Sequence, residues 1–168
     1  DPLTGLPNRT HFLREVDQAC REYALDNDKG FCVLFVDLDR FKIVNDSLGH
    51  AAGDVLITQV GARLRESIQR GEFTGDGKAL LARMGGDEFT ILVPGVRSPQ
   101  DAVAAADSLQ ALLRNPFQIE GHEVVTSASI GIAMRSSETG SADELVRHAD
   151  MAMYQAKARG KARCELYD

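Results

Sequence analysis

Apolar residues return at four-residue intervals through Leu56, Val60, Leu64 and Ile68, which draws one buried face along a helix over residues 51–70. Earlier in the chain, "FCVLFVDLD" (31–39) is a continuous apolar run of strand length. It reads as a central strand covered on both faces, and it ends in two acids. The turn residues of "DPLTGLPNR" precede a helix from about Asn8 to about Leu25, which "DNDKG" breaks. "LARMGGDEFTILV" (81–93) predicts two strands joined around Gly85–Gly86, after a loop at "EFTGDGK". Ser98, Pro99 and Asp101 supply an N-cap, a first-turn proline and an acid at the positive end of a helix dipole. That helix runs to about Arg114, with Val103, Ala106, Leu109 and Leu113 inward. "FQIEGHEVVTSASIGIAM" (117–134) predicts a hairpin turning at Glu120–Gly121 with a long second strand. Ser141 and Glu144 form a capping box for a helix that buries Leu145, Ala149, Ala152, Met153 and Ala156, and Gly160 ends it. "ARCELYD" adds an edge strand. The expected fold is α+β: a central, mostly antiparallel five-stranded sheet surrounded by helices.

The bulk numbers narrow the function classes. At 168 residues the chain is a single domain, 1–168, with room for a real core. With 43% hydrophobic and 26% charged residues it is globular, and no apolar run approaches the roughly 20 residues a membrane helix needs. A net charge of −6 without a long basic cluster argues against a long nucleic acid as partner, because binding one rests on many Lys and Arg contacts to phosphate. A few basic residues still suffice for one small phosphorylated ligand. Cys20, Cys32 and Cys164 are odd in number, widely spaced and fit no zinc or CxxC pattern, which points to a reducing, cytoplasmic compartment. A start at Asp1 without methionine reads as a piece of something longer.

Chemistry concentrates at two strand ends. In "VDLDRFKIVND", Asp37 and Asp39 are two apart and face the same side of a strand, the second already in the turn. A carboxylate at the exposed end of a central strand is a common way to hold Mg²⁺, which prefers a few carboxylates plus substrate phosphates to a closed protein cage. The alternative is that these acids cap the next helix. Asp87 and Glu88 form a second acidic pair, at the tip of the glycine hairpin. If the two strands are neighbours, Asp37 and Asp87 can share a divalent metal, while the glycines allow positive φ and keep side chains from between backbone and ligand. A merely solvated acidic turn leaves the pair at 37–39 unexplained.

"GGDEF" (85–89) resembles the name-giving motif of the GGDEF domains, the diguanylate cyclases. So do "DPLTGLPNR" (1–9), "DLDRFKIVNDSLGHAAGD" (37–54), "ARMGGDEF" (82–89), "SIGIA" (129–133) and "ADMAMYQAKARGK" (149–161), in the family's order and over nearly the whole chain. The resemblance implies a fold similar to nucleotidyl cyclases and polymerase palms. It also implies condensation of two GTP, one on each of two facing domains of a homodimer, to cyclic di-GMP with release of pyrophosphate. The implied metal ligands for Mg²⁺ (or Mn²⁺) are Asp37, the backbone carbonyl of Leu38, and Asp87, with Glu88 beside the metal and the reacting 3′-hydroxyl. Guanine recognition maps onto Asn45 and Asp54, since a carboxylate accepts from N1–H and the exocyclic amine while an amide donates and accepts. Phosphates are expected at the backbone amides of the 38–42 turn, Phe41 among them, and at the side chains of Lys42, Lys157 and Lys161. Arg83 is expected to support the site.

Some positions depart from the pattern. The family usually has arginine and asparagine where Lys161 and Ala162 stand. Lysine keeps the charge but loses the bidentate fork, which implies weaker triphosphate binding. The Arg-x-x-Asp product site of many members is replaced by "DGKA" at 76–79. The opening block and the 116–133 hairpin are similar to GGDEF domains followed by an EAL phosphodiesterase domain, in proteins whose full length can be membrane-anchored. Three readings compete: a cyclase, a catalytically silent GTP-binding regulator of an attached EAL domain, and a palm-fold nucleotidyl transferase with another base preference. Intact Asp37, Asp87 and Glu88 favour the first over the second, and Asn45 with Asp54 favours guanine.

Overall fold

The computed structural model describes residues 1–73, 79–135 and 140–168. Most of the loop expected at 72–78, including residues 76–78 of "DGKA", lies outside them. The elements in chain order are α1 (Arg9–Leu25), β1 (Phe31–Leu38), α2 (Phe41–Leu48), α3 (His50–Gln69), β2 (Leu80–Gly85) and β3 (Glu88–Pro94). They continue with α4 (Pro99–Arg114), β4 (Phe117–Ile119), β5 (His122–Val124), β6 (Ala128–Met134), α5 (Ala142–Ala158) and β7 (Cys164–Leu166). The main sheet has five strands in the order β2-β3-β1-β6-β7, antiparallel throughout except for the parallel β6–β7 pair at the edge.

Alternation along β1 sorts the core into two layers. Cys32, Leu34, Val36 and Leu38 pack with Leu56, Val60 and Leu64 of α3 and Leu109 and Leu113 of α4. Phe31, Val33 and Phe35 join Phe12 and Val16 of α1 and Leu145, Ala149 and Met153 of α5. Asp37 shares the parity of this second set, so it emerges on the α5 side at the strand's end. The helix starts follow their sequence signals: Asn8 Oδ1 accepts from His11 N at 3.0 Å, and Ser98 and Ser141 Oγ accept from Asp101 and Glu144 N at 3.2 Å.

One expected element is wrong. The predicted long second strand of the 117–134 hairpin is two strands in two sheets: β5 pairs only with β4, and β6 pairs with β1 and β7. Between them the backbone turns away to meet the end of β1. Asp39 N donates to Ser127 O at 2.9 Å, and Thr126 Oγ1 donates to Asp39 O at 2.9 Å. Gln110, buried on α4, then takes both backbone groups of Ala128, where β6 begins. Polar groups that would have continued a hairpin ladder are thus satisfied by distant partners.

Helix α5 lies directly on β6 at Gly131. A Cβ built there would stand 1.9 Å from Ala149 O and 2.3 Å from Met153 N, so only glycine permits this approach. That contact sets how close the cationic end of α5 comes to Asp37.

Candidate active site

The two acidic strand ends are neighbours in space. In the β1–β3 ladder Asp37 stands opposite Glu88, and Leu38 N donates to Asp87 O at 3.2 Å. The hairpin tip is a short loop between Gly85 and Glu88, which pair across it. Gly85 (φ 146°) and Gly86 (φ 49°) both take backbone conformations that side chains disfavour. Arg83 fixes the tip from behind: its guanidinium donates to Gly86 O at 2.8 and 3.1 Å and to the Asp1 carboxylate at 3.2 Å. This is the supporting role expected of it, and it gives the opening "DPLT" turn a purpose.

Acids crowd this place. Burial pushes the Asp37 carboxyl up to about 6, with the Lys157 ammonium at 2.9 Å pulling it back and the adjacent Asp87 pushing it further. Glu88 is raised as well, first by burial and then by Asp37 and Asp150, against Lys157 and Arg9. Asp150 is raised by burial and by Asp37, with Arg9 opposing. Carboxylates that burden one another in this way are a natural seat for a cation. Among the described residues no group of three or more His, Cys, Asp or Glu side chains could hold a metal by itself. Two carboxylates and a backbone carbonyl at Asp37, Leu38 and Asp87 are a hard oxygen set that fits an ion completed by phosphate oxygens.

The 38–42 turn is narrower as an anion site than expected. The amides of Leu38 and Asp39 are already spent on Asp87 O and Ser127 O. What remains is the start of α2, where Arg40 (φ 62°) makes no side-chain cap and the first helical amides, Phe41 and Lys42, have no intrahelical acceptor. The Lys42 side chain is exposed on α2 itself and that of Lys161 on the turn after α5, which Ala162 N ties to Asp39, while Lys157 is engaged with Asp37. Helix α2 has no buried residue and rests mainly on α3, to which it is joined through Gly49 (φ 95°). Asn45 Oδ1 lies 1.8 Å from where a Cβ on Gly53 would be, which brings Asn45 against the residue next to Asp54. Asp54 itself is exposed on α3. Two cavities of about 540 and 480 Å³ lie elsewhere, one lined by Leu6, Arg65 and Phe73, the other by Glu22, Lys29 and Arg97.

The family model described as diguanylate cyclase, GGDEF domain, matches residues 1–163. The chain belongs to the GGDEF family. Among relatives, MucR of Pseudomonas aeruginosa, a bifunctional diguanylate cyclase/cyclic di-GMP phosphodiesterase, is 42% identical over 161 residues, covering 96% of this chain and 22% of that protein. The diguanylate cyclase TpbB of the same species is 41% identical over 172 residues, covering all of this chain and 38% of that protein. The GGDEF domain solved from P. aeruginosa TpbB superposes with a TM-score of 0.90 at 37% identity, covering 100% of this chain and 94% of that one. The GGDEF domain described here thus spans well under half the length of both curated relatives.

Two residues of this GGDEF domain escaped the reading of its sequence, and a third was given the wrong role. Asp150 and Arg9 border the acidic centre, and Asp150 carried a usable signal: it precedes Lys157 by seven residues, two helical turns, on one face of α5. Asp39, weighed as a metal ligand or a helix cap, is neither. It is 2% exposed and fully hydrogen-bonded within the fold.

Proposed function

We propose that the domain is one half of a diguanylate cyclase: it holds one GTP with a divalent metal, Mg²⁺ or Mn²⁺, and works face to face with a second copy. The observation that carries this is the contact of the Asp37 and Asp87 carboxyls at the end of the central strand, where Leu38 N donates to Asp87 O and Lys157 lies alongside Asp37. In the condensation each 3′-oxygen attacks the α-phosphorus of the facing GTP. A 3′–5′ phosphodiester forms, pyrophosphate leaves, and two such steps give cyclic di-GMP. The metal, when bound, neutralises charge developing on the phosphates and eases deprotonation of the attacking oxygen. Asp37, the Leu38 carbonyl and Asp87 would hold it, and Glu88 would accept the hydroxyl proton. The α2 amides at Phe41 and Lys42, with the Lys42, Lys157 and Lys161 side chains, hold the phosphates. Asn45 and Asp54 read guanine.

A second reading is a silent GTP-binding regulator of a following EAL phosphodiesterase domain, favoured by the likeness to relatives named only as cyclic di-GMP phosphodiesterases, NbdA of Pseudomonas aeruginosa (34% identical over 167 residues) and PdeR of Escherichia coli (38% over 161). The domain is read as cytoplasmic from its free cysteines, the full-length protein as potentially anchored elsewhere in its length; no helix among the described residues is long and apolar enough to cross a membrane. Incubation with GTP and Mg²⁺, followed by mass spectrometry, decides between the two: cyclic di-GMP is expected, and bound GTP without product selects the regulator.

Base choice supplies an independent check. Guanine offers N1–H and N2–H₂ donors, whereas adenine sets an N1 lone pair against a carboxylate that cannot donate. An unpaired polar group costs roughly 1–3 kcal/mol, so GTP should outbind ATP by about tenfold to a hundredfold. Asp54→Ala should narrow that gap by weakening GTP alone. Equal wild-type affinities for ATP and GTP would rule the guanine pocket out.

A further inference from the structure

Asp39 is a buried carboxylate whose partners are all uncharged. Oδ2 accepts from Ser127 Oγ at 2.6 Å and from Ala162 N at 3.0 Å, and Oδ1 accepts from Ser129 Oγ at 2.7 Å. Among the described residues no Lys or Arg pairs with it. Burying a charge on neutral donors is unfavourable unless the bonds accomplish something, and an apolar residue would serve a plain packing role better.

What they accomplish lies at the far end of one of them. Gly160, Lys161 and Ala162 run consecutively at φ 119°, 63° and 50°. Two of these are ordinary L-residues in a left-handed conformation they rarely adopt, and neither is Asn or Asp. The helix end explains only the first part: Gly160 N reaches Lys157 O at 3.3 Å and Lys161 N reaches Ala156 O at 3.0 Å, a Schellman closure of α5. The next amide, Ala162 N, has left the helix, and its acceptor is Asp39. One residue later Arg163 O accepts from Ile130 N at 2.9 Å, returning the chain to β6. Asp39 therefore pins the strained turn at its apex. It also sits at the end of β1, immediately before α2, so one carboxylate ties together the α2 start and the Lys161 turn.

We propose that Asp39 is a positioning residue: its carboxylate holds the left-handed Gly160–Ala162 turn and thereby sets where Lys161 meets the nucleotide phosphates. This rests on the reading of Lys161 as a phosphate ligand. The test compares GTP and GMP affinity, by calorimetry in the presence of Mg²⁺, for wild type, Asp39→Ala, Lys161→Ala and the double variant, with hydrogen exchange at the Ala162 amide in the absence of nucleotide. Losing one charge-assisted phosphate contact is expected to weaken GTP about tenfold in each single variant, with GMP changed about twofold at most. The double variant should be no weaker than Lys161→Ala, because Asp39 acts through that side chain. Ala162 exchange should quicken at least about tenfold in Asp39→Ala, its hydrogen-bond acceptor being gone. Asp39→Asn keeps one oxygen for Ala162 N and an amide that can donate to a serine hydroxyl, so it should stay near wild type. Should Asp39→Ala melt below assay temperature, Asp39→Ser replaces it, since it removes the carboxylate oxygen that accepts from Ala162 N while keeping a hydroxyl in place of a bare methyl. Additive losses, an equal loss for GMP, or unchanged Ala162 exchange overturn the proposal. So does a Lys161→Ala variant that binds GTP normally, and in that case faster Ala162 exchange in Asp39→Ala locates the failure in the phosphate reading and not in the anchor.

Discussion

Asp87→Ala is expected to lower turnover of GTP by about a thousandfold or more and to remove the metal dependence of GTP binding. Charge stabilisation by a metal on phosphate is worth several kcal/mol, and each 1.4 kcal/mol or so is a factor of ten. The same substitution should not harm the metal-free fold. Asp87 is half-buried at a hairpin tip whose backbone is fixed by Arg83 and by Leu38 N, neither of which depends on the Asp87 side chain. Asp87 also pushes against Asp37, so its removal relieves a like-charge contact. Without metal the variant should therefore melt at or above the wild-type temperature. With added Mg²⁺ and GTP the wild type should gain stability by linkage while the variant gains little. A variant that loses activity and also melts well below wild type without metal would make the effect structural and sink the assignment of Asp87 as a ligand. Retained metal dependence would do the same.

Legibility in the sequence followed the range of the interactions. Elements specified by local pattern came out within a residue or two: α3 from its four-residue apolar spacing, α4 and α5 from Ser98 and Ser141, and α1 from Asn8. The neighbourhood of Asp37 and Asp87 was legible because both acids terminate strands, and antiparallel neighbours bring strand ends together. The break between β5 and β6 was not, because what stops the ladder is Asp39, 87 and 88 residues away from Thr126 and Ser127, and Gln110, 18 residues from Ala128. Asp39 was misread for the same reason. Spacing shows which side of a strand an acid faces, but not that two serines and an amide from beyond α5 will enclose it. The engagement of Lys157 with Asp37 was likewise hidden, since it depends on how closely α5 is laid on the sheet.

That closeness is the origin of the second large effect, expected for Gly131→Ala. No positive φ is involved at Gly131, so an alanine there meets no backbone strain of its own, and whatever it costs is steric. The added methyl would stand 1.9 Å from Ala149 O, 2.3 Å from Met153 N and 2.9 Å from Met153 Cα. All three are backbone atoms inside a helix, and unlike the tip of a side chain they cannot rotate away. The helix must rise off β6 as a body, opening contacts around Ala149, Met153 and Leu145, all buried in the layer under α5. Overpacking of a close-packed core costs about 1–3 kcal/mol, and a backbone clash belongs at the upper end. For a domain of this size that is a fall in melting temperature of about 6–12 °C, measurable by circular dichroism. Activity should suffer beyond the loss of folded protein, because Lys157 leaves with the helix and its 2.9 Å contact to Asp37 is stretched. Assayed well below its melting point, Gly131→Ala should bind GTP more weakly than wild type. Gly71, where an added Cβ meets nothing within 4 Å, is the contrast: substitution there strains only its own φ of 71° and should leave GTP binding unchanged. A melting shift under about 2 °C for Gly131→Ala would mean that α5 yields freely, and the sheet contact could not then be what places Lys157 beside the acids.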